Sequence, residues 1–84
     1  MPAWVSSNLH RTLIASLIRA RKAAGLTQRD VAAKLGKPPS FVGKIEAIER
    51  NIGLLEFLEW CEAIGIEPTE ILPEAVRDAP AHSK

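Results

Sequence analysis

The stretch from Gly25 to Glu46 constrains this chain more than any other. It reads Gly-Leu-Thr-Gln-Arg-Asp-Val-Ala-Ala-Lys-Leu-Gly and then Lys-Pro-Pro-Ser-Phe-Val-Gly-Lys-Ile-Glu. Thr27 is a helix cap, and Asp30, three residues on, is the short-armed version of a capping-box partner. Val31, Ala32 and Leu35 form one buried stripe, and Gly36 supplies the stop. Pro39 suits the first position of a further helix, because the N–H it lacks would have no intrahelical partner there. Pro38 then holds the cap position in the extended conformation that a following proline also demands. In that helix Val42 and Ile45 face inward, leaving Ser40, Phe41, Gly43 and Lys44 for the outer face. The result is two short helices pivoting on one glycine, with the small Ala32 letting them approach closely at the corner.

Helical periodicity runs through the rest of the chain, and neither an alternating β-branched run nor a hairpin turn pair occurs. Ser6 or Ser7 caps a first helix reaching about Ala24, with Leu9, Leu13, Leu17 (or Ile14) and Ile18 at helical spacing. Arg19, Arg21 and Lys22 favour its C-terminal end electrostatically, and Gly25 stops it. After Gly53 a fourth helix spans Leu54 to about Ile64, with Phe57, Trp60, Cys61 and Ile64 inward and Gly65 as its stop. Pro68 opens a short fifth helix to Leu72. The expected organisation is an N-terminal arm over 1–7, one all-α domain over 8–73, and a polar, flexible tail over 74–84.

At 84 residues the chain supports one small core. It has no apolar run approaching the roughly 18 residues of a membrane span. Met1-Pro2-Ala3 reads as a native cytosolic start rather than a leader. Cys61 is the single cysteine, so no internal disulfide forms and a cytoplasmic location is expected, with Cys61 in the core. His10 and His82 lack ligand companions, and no phosphate loop, Ser-His-Asp set or paired pocket carboxylates occur. Neither metal, cofactor nor catalysis is expected. The net charge of +1 conceals a sharp split. Residues 1–50 carry nine Lys and Arg against three acids, and residues 51–84 carry two against seven. Such a chain has one side suited to a polyanion. Joined to the two-helix corner, this points to a helix-turn-helix that lays its second helix in a DNA major groove.

The run Leu26-Thr27-Gln28, Val31-Ala32, Leu35-Gly36, Phe41 to Glu46, Glu49-Arg50, Glu56-Phe57 and Ala63 to Ile66 resembles the Cro and lambda-type repressor family. These are also called xenobiotic-response-element regulators, and the likeness covers roughly Leu13 to Leu72. The resemblance implies a five-helix, lambda-repressor-like domain acting as a bacterial or phage transcriptional regulator or repressor on double-stranded operator DNA. It implies DNA phosphate contacts at Gln28, with Thr27, Arg29 and Lys37 along the same edge, and base contacts around Ser40 and Lys44. Phe41 meets a thymine methyl or the sugar backbone, or packs over the helix-turn corner. Glu46 is implied to be structural, tying the third helix to its neighbours.

Three positions depart from the family pattern. Pro39 stands where a glutamine often reads a base, Gly43 where a polar residue is usual, and Ile48 where glycine usually follows the third helix. A β-branched residue resists the left-handed conformation, so the third helix is expected to run longer or the next loop to differ. Glu56, Glu59 and Glu62 read as a solvated acidic face. Ile48, Ile52, Leu55 and Leu58 read either as a homodimer surface, the family's usual use of this region, or, for Ile52 and Leu55, as completion of the core. Trp4 in the arm packs on the domain, joins the dimer or lies against DNA. An alternative function is a protein-interaction module on the same fold, a co-regulator or antitoxin-like protein. Its acidic helix or apolar patch would recruit a partner such as RNA polymerase.

Overall fold

Local hydrogen bonds at the helix ends explain where the elements of this chain start and stop. The structure, a computed structural model, describes residues 8–72. It contains α1 (Asn8–Ala23), α2 (Gln28–Leu35), α3 (Pro39–Glu46), α4 (Leu54–Ile64) and a last helical turn, α5, over 68–72. No strand occurs among the described residues. Thr27 and Asp30 cap α2 reciprocally: Asp30 N–H donates to the Thr27 hydroxyl at 3.0 Å, and Thr27 N–H donates to the Asp30 carboxylate at 2.9 Å. Those contacts, the Thr27 N–H foremost, hold the Asp30 carboxyl below its usual range. Pro38 occupies the α3 cap in extended conformation with Pro39 as first helical residue, as the diproline requires.

The first four helices end alike. An N–H five residues on closes each last turn: Leu26 to Arg21 carbonyl at 3.1 Å, Lys37 to Ala32 at 2.9 Å, Glu49 to Lys44 at 2.8 Å and Ile66 to Cys61 at 3.0 Å. The residue before each donor is left-handed, and three of the four are glycines, with φ between 68° and 77°. The fourth is Ile48, at φ 61°. Of the two outcomes expected for this position, a longer α3 is not found: the helix stops at Glu46, and isoleucine takes the glycine conformation. An L-residue there costs about 1–2 kcal/mol. Ile48 is held by the 2.8 Å closing bond and by its half-buried side chain, which packs against the core.

The core comprises Ile14, Leu17, Val31, Ala32, Val42, Ile45, Phe57, Trp60, Cys61, Ile64 and Ile71. Each of the five helices contributes, with α2 packed chiefly on α3 and then on α4. Both Ile14 and Leu17 are buried, whereas Leu9, expected inside, is exposed. The buried positions of α1 are His10, Ile14, Leu17 and Arg21, along with Ser16, and this stripe is rotated from the one that Leu9 would define. Cys61 sits in the core as expected, and burial raises its thiol to about 11, so it stays protonated. The arm over 1–7, with its Ser6 or Ser7 cap and Trp4, and the tail from 73 lie outside the described residues.

Candidate nucleic-acid interface

Arg21 is the charged member of the buried α1 stripe, and its partner fixes the corner. Its guanidinium makes a two-pronged pair with Glu46 at the end of α3, Nε to Oε2 at 2.7 Å and Nη2 to Oε1 at 3.0 Å. The two side chains are 8% and 6% exposed, so water screens the pair little. Arg21 Nη1 also donates to the Leu26 carbonyl at 2.8 Å, tying down the turn between α1 and α2. Gln28, the first residue of α2, donates its amide Nε2 to Glu46 Oε1 at 2.8 Å. One carboxylate therefore joins the end of α1, the start of α2 and the end of α3. Glu46 is structural, as the resemblance implied.

A carboxylate only accepts, so the Gln28 amide nitrogen must face Glu46, which leaves one amide hydrogen and Oε1 for other partners. Oε1 lies over the bare Gly43, where an added Cβ would come 3.5 Å away. Thr27, Arg29 and Lys37, the other residues expected along this edge, are exposed, as is Gln28 itself. Thr27 Oγ1 accepts from Asp30 and keeps its own hydroxyl proton. On α3, Ser40 and Lys44 are exposed and one helical turn apart. The exposed Pro39 offers no donor beside them.

Phe41 packs over the helix-turn corner. Its ring is half-buried against the core, with Lys37 Nζ 5.4 Å and Arg50 Cζ 4.7 Å from its centroid. Arg50 is oriented by Glu56, Nη1 to Oε1 at 2.9 Å and Nη2 to Oε2 at 3.0 Å, and by the Asn51 carbonyl at 2.9 Å. Glu56 also accepts the Gly53 N–H at 2.9 Å, which caps α4. It therefore does not belong to the solvated acidic face expected for Glu56, Glu59 and Glu62. Arg50, followed by the Gly53 N–H, pulls the Glu56 carboxyl below its ordinary value, and Glu56 raises Arg50 in turn.

The four residues expected at a dimer surface divide. Ile48 and Ile52 are half-buried against their own core, whereas Leu55 is 73% and Leu58 40% exposed. Leu54, which sequence reasoning passed over, is 73% exposed beside them. Arg21 was also missed, although His10, Ile14, Leu17 and Arg21 recur at spacings of four, three and four, which marks Arg21 as part of the inward stripe.

Among the described residues no helix is long and apolar enough to cross a membrane, and no cluster of potential metal ligands occurs. A corner of two short helices, with the second presenting polar side chains on its open face, defines a helix-turn-helix protein. The helix-turn-helix family model matches residues 17–71, and the chain belongs to that family, in its Cro and XRE branch of DNA-binding transcription regulators. An XRE-family-like protein from Pseudomonas syringae pv. tomato is 40% identical, with a TM-score of 0.79 over 86% of this chain and 88% of that one. The clp gene regulator ClgR of C. glutamicum, 24% identical, shares the fold with a TM-score of 0.76 over 86% and 92% of the two chains. No curated protein matches the sequence.

Proposed function

We propose that this regulator binds operator DNA as a homodimer, with α3 lying in the major groove. The observation that carries the reading is the open face of α3, where the exposed Ser40 and Lys44 stand one turn apart, with Arg29 of α2 and Lys37 of the turn into α3 exposed as well. Lys44 donates to guanine O6 or N7 and Ser40 serves either a donor or an acceptor edge. Gln28, Thr27, Arg29 and Lys37 take the phosphates, assisted by the positive N-terminal end of α2. Phe41 packs on the corner and leaves the remaining part of its ring for a thymine methyl or the sugar backbone. With Pro39 and Gly43 silent, direct readout is thin, and DNA shape supplies part of the preference. Leu54, Leu55 and Leu58 supply the self-association face, which sets two half-sites about 34 Å apart.

Selection of bound duplexes from a random library tests this reading. The expected outcome is an enriched, two-fold symmetric site with half-sites separated by about one helical turn. Enrichment of no sequence would refute sequence-specific binding. Sedimentation of Leu55→Glu beside the wild type tests the pairing, and an unchanged state would refute the leucine face.

A further inference from the structure

Beyond the α2–α3 face the molecule carries a second concave surface, on α4 and the turn into α5. It is a groove of about 450 Å³ built from Leu55, Leu58, Ile66 and Pro68, with the buried Cys61 in its wall. That volume is within the range of sites that enclose an apolar group. Glu59, Glu62 and Glu67 line the same groove and are exposed. Among the described residues none of the three forms an ion pair; the ion pairs found there are Arg21–Glu46 and Arg50–Glu56. Residues 51–72 hold five glutamates and neither lysine nor arginine, and Lys34 of α2, which shares a neighbouring hollow with Glu59 and Glu62, is outnumbered by the three glutamates of the rim.

We propose that this groove docks a basic, apolar-anchored segment of a partner protein, an amphipathic helix whose leucine-like face meets Leu55, Leu58 and Ile66 and whose lysines or arginines meet Glu59, Glu62 and Glu67. Charge decides the occupant. A second copy related by a two-fold axis through the groove would set these glutamates against their own counterparts, whereas a cationic segment pairs with them. Apolar contact supplies the affinity and the glutamates supply steering and selectivity. The groove shares no residue with the α2–α3 face, so a basic segment does not compete with DNA for that face. It does share Leu55 and Leu58 with the proposed self-association face, which makes a second copy and a basic segment alternative occupants of those two leucines.

The test is a titration of the full chain with a designed amphipathic Leu/Lys peptide, leucines at i, i+3, i+4 and i+7, followed by amide chemical-shift mapping. A peptide of the same composition in scrambled order is the control, and sedimentation fixes a protein concentration at which the chain is monomeric. The expected result is shifts confined to α4 and residues 65–68. Leu58→Ser weakens binding by about tenfold, the scale of a lost buried leucine contact. Glu59→Gln with Glu62→Gln weakens it and flattens its salt dependence, and affinity for DNA is unchanged. Equal binding of the scrambled peptide, shifts scattered over every acidic residue, or no binding overturns the proposal. So does a chain that stays paired through Leu58 at every accessible concentration with the groove amides unmoved by peptide. DNA binding is read separately, so its failure and that of the groove are told apart.

Discussion

Replacing Glu46 by alanine is the most severe single test of how the α2–α3 corner is held. The substitution removes two guanidinium–carboxylate bonds, at 2.7 and 3.0 Å, and the 2.8 Å bond from Gln28. Arg21 then stays in a site where its side chain is 8% exposed, with only the Leu26 carbonyl among its described partners. Stranding one member of a buried pair costs about 3–5 kcal/mol. A chain of 84 residues has roughly 4–12 kcal/mol of total stability, so the loss is a large share of it. At about 4–8 °C per kcal/mol for a domain of this size, Tm falls by at least about 12 °C. Urea titration followed by circular dichroism gives the free energy directly. The double variant Arg21→Met with Glu46→Leu removes both charges together and is expected to recover to within about 1–2 kcal/mol of the wild type. A loss below about 1 kcal/mol for Glu46→Ala, or a double variant as unstable as the single one, would refute the burial argument.

Three further outcomes follow from the helix ends and the open face of α3. Gly43→Ala places its Cβ 3.5 Å from Gln28 Oε1, ordinary contact, so helix propensity prevails and stability rises by up to about 1 kcal/mol in the same urea assay. Ile48→Gly relieves the left-handed strain, worth about 1–2 kcal/mol, while giving up a half-buried side chain of similar worth, and is expected near neutral. Ile45→Ala three residues earlier, in the core, costs about 2–5 kcal/mol by comparison. Glu56 has a native carboxyl held below its ordinary value, so its contribution is full above about pH 4.3 and is lost as pH falls through the depressed native value. Thermal scans of wild type and Glu56→Gln should therefore differ at pH 7 by no more than about 1 kcal/mol, since the Arg50 pair is partly exposed, and converge as the pH falls through the depressed native value. A gap that widens on acidification would contradict the sign.

Local signals were legible and long-range ones were not. Thr27 with Asp30, Pro39, Gly36 and Gly65 set the bounds of α2, α3 and α4, because caps act within one turn of the chain and their chemistry is written in adjacent residues. The pairing of Arg21 with Glu46 spans 25 residues, and no spacing rule announces it. Arg21 reads locally as one of three cations at a helix end, and only its place on the inward stripe distinguishes it from Arg19 and Lys22. Glu56 misled for the same reason. Its three-residue repeat with Glu59 and Glu62 resembles a solvated face, yet the Gly53 N–H and the Arg50 guanidinium claim it. At Ile48 the intrinsic resistance of a β-branched residue was a sound local expectation. The closing bond from Glu49 and packing on the core outweigh it. The candidate DNA contacts were legible as residue types, whereas the commitment of the Gln28 amide to Glu46 came only with the fold.

The central claim is that the α2–α3 face reads operator DNA through Lys44 while Arg29 and Lys37 hold its backbone. The measurement that tests it most directly is the salt dependence of affinity for a selected duplex and for a random one, in wild type, Lys44→Ala, Arg29→Ala and Lys37→Ala. If the claim holds, Lys44→Ala loses chiefly the preference for the selected duplex. Arg29→Ala and Lys37→Ala weaken both duplexes alike, each lowering the slope of log K against log salt by about 0.9. Affinity and slope unchanged in all three variants would contradict it.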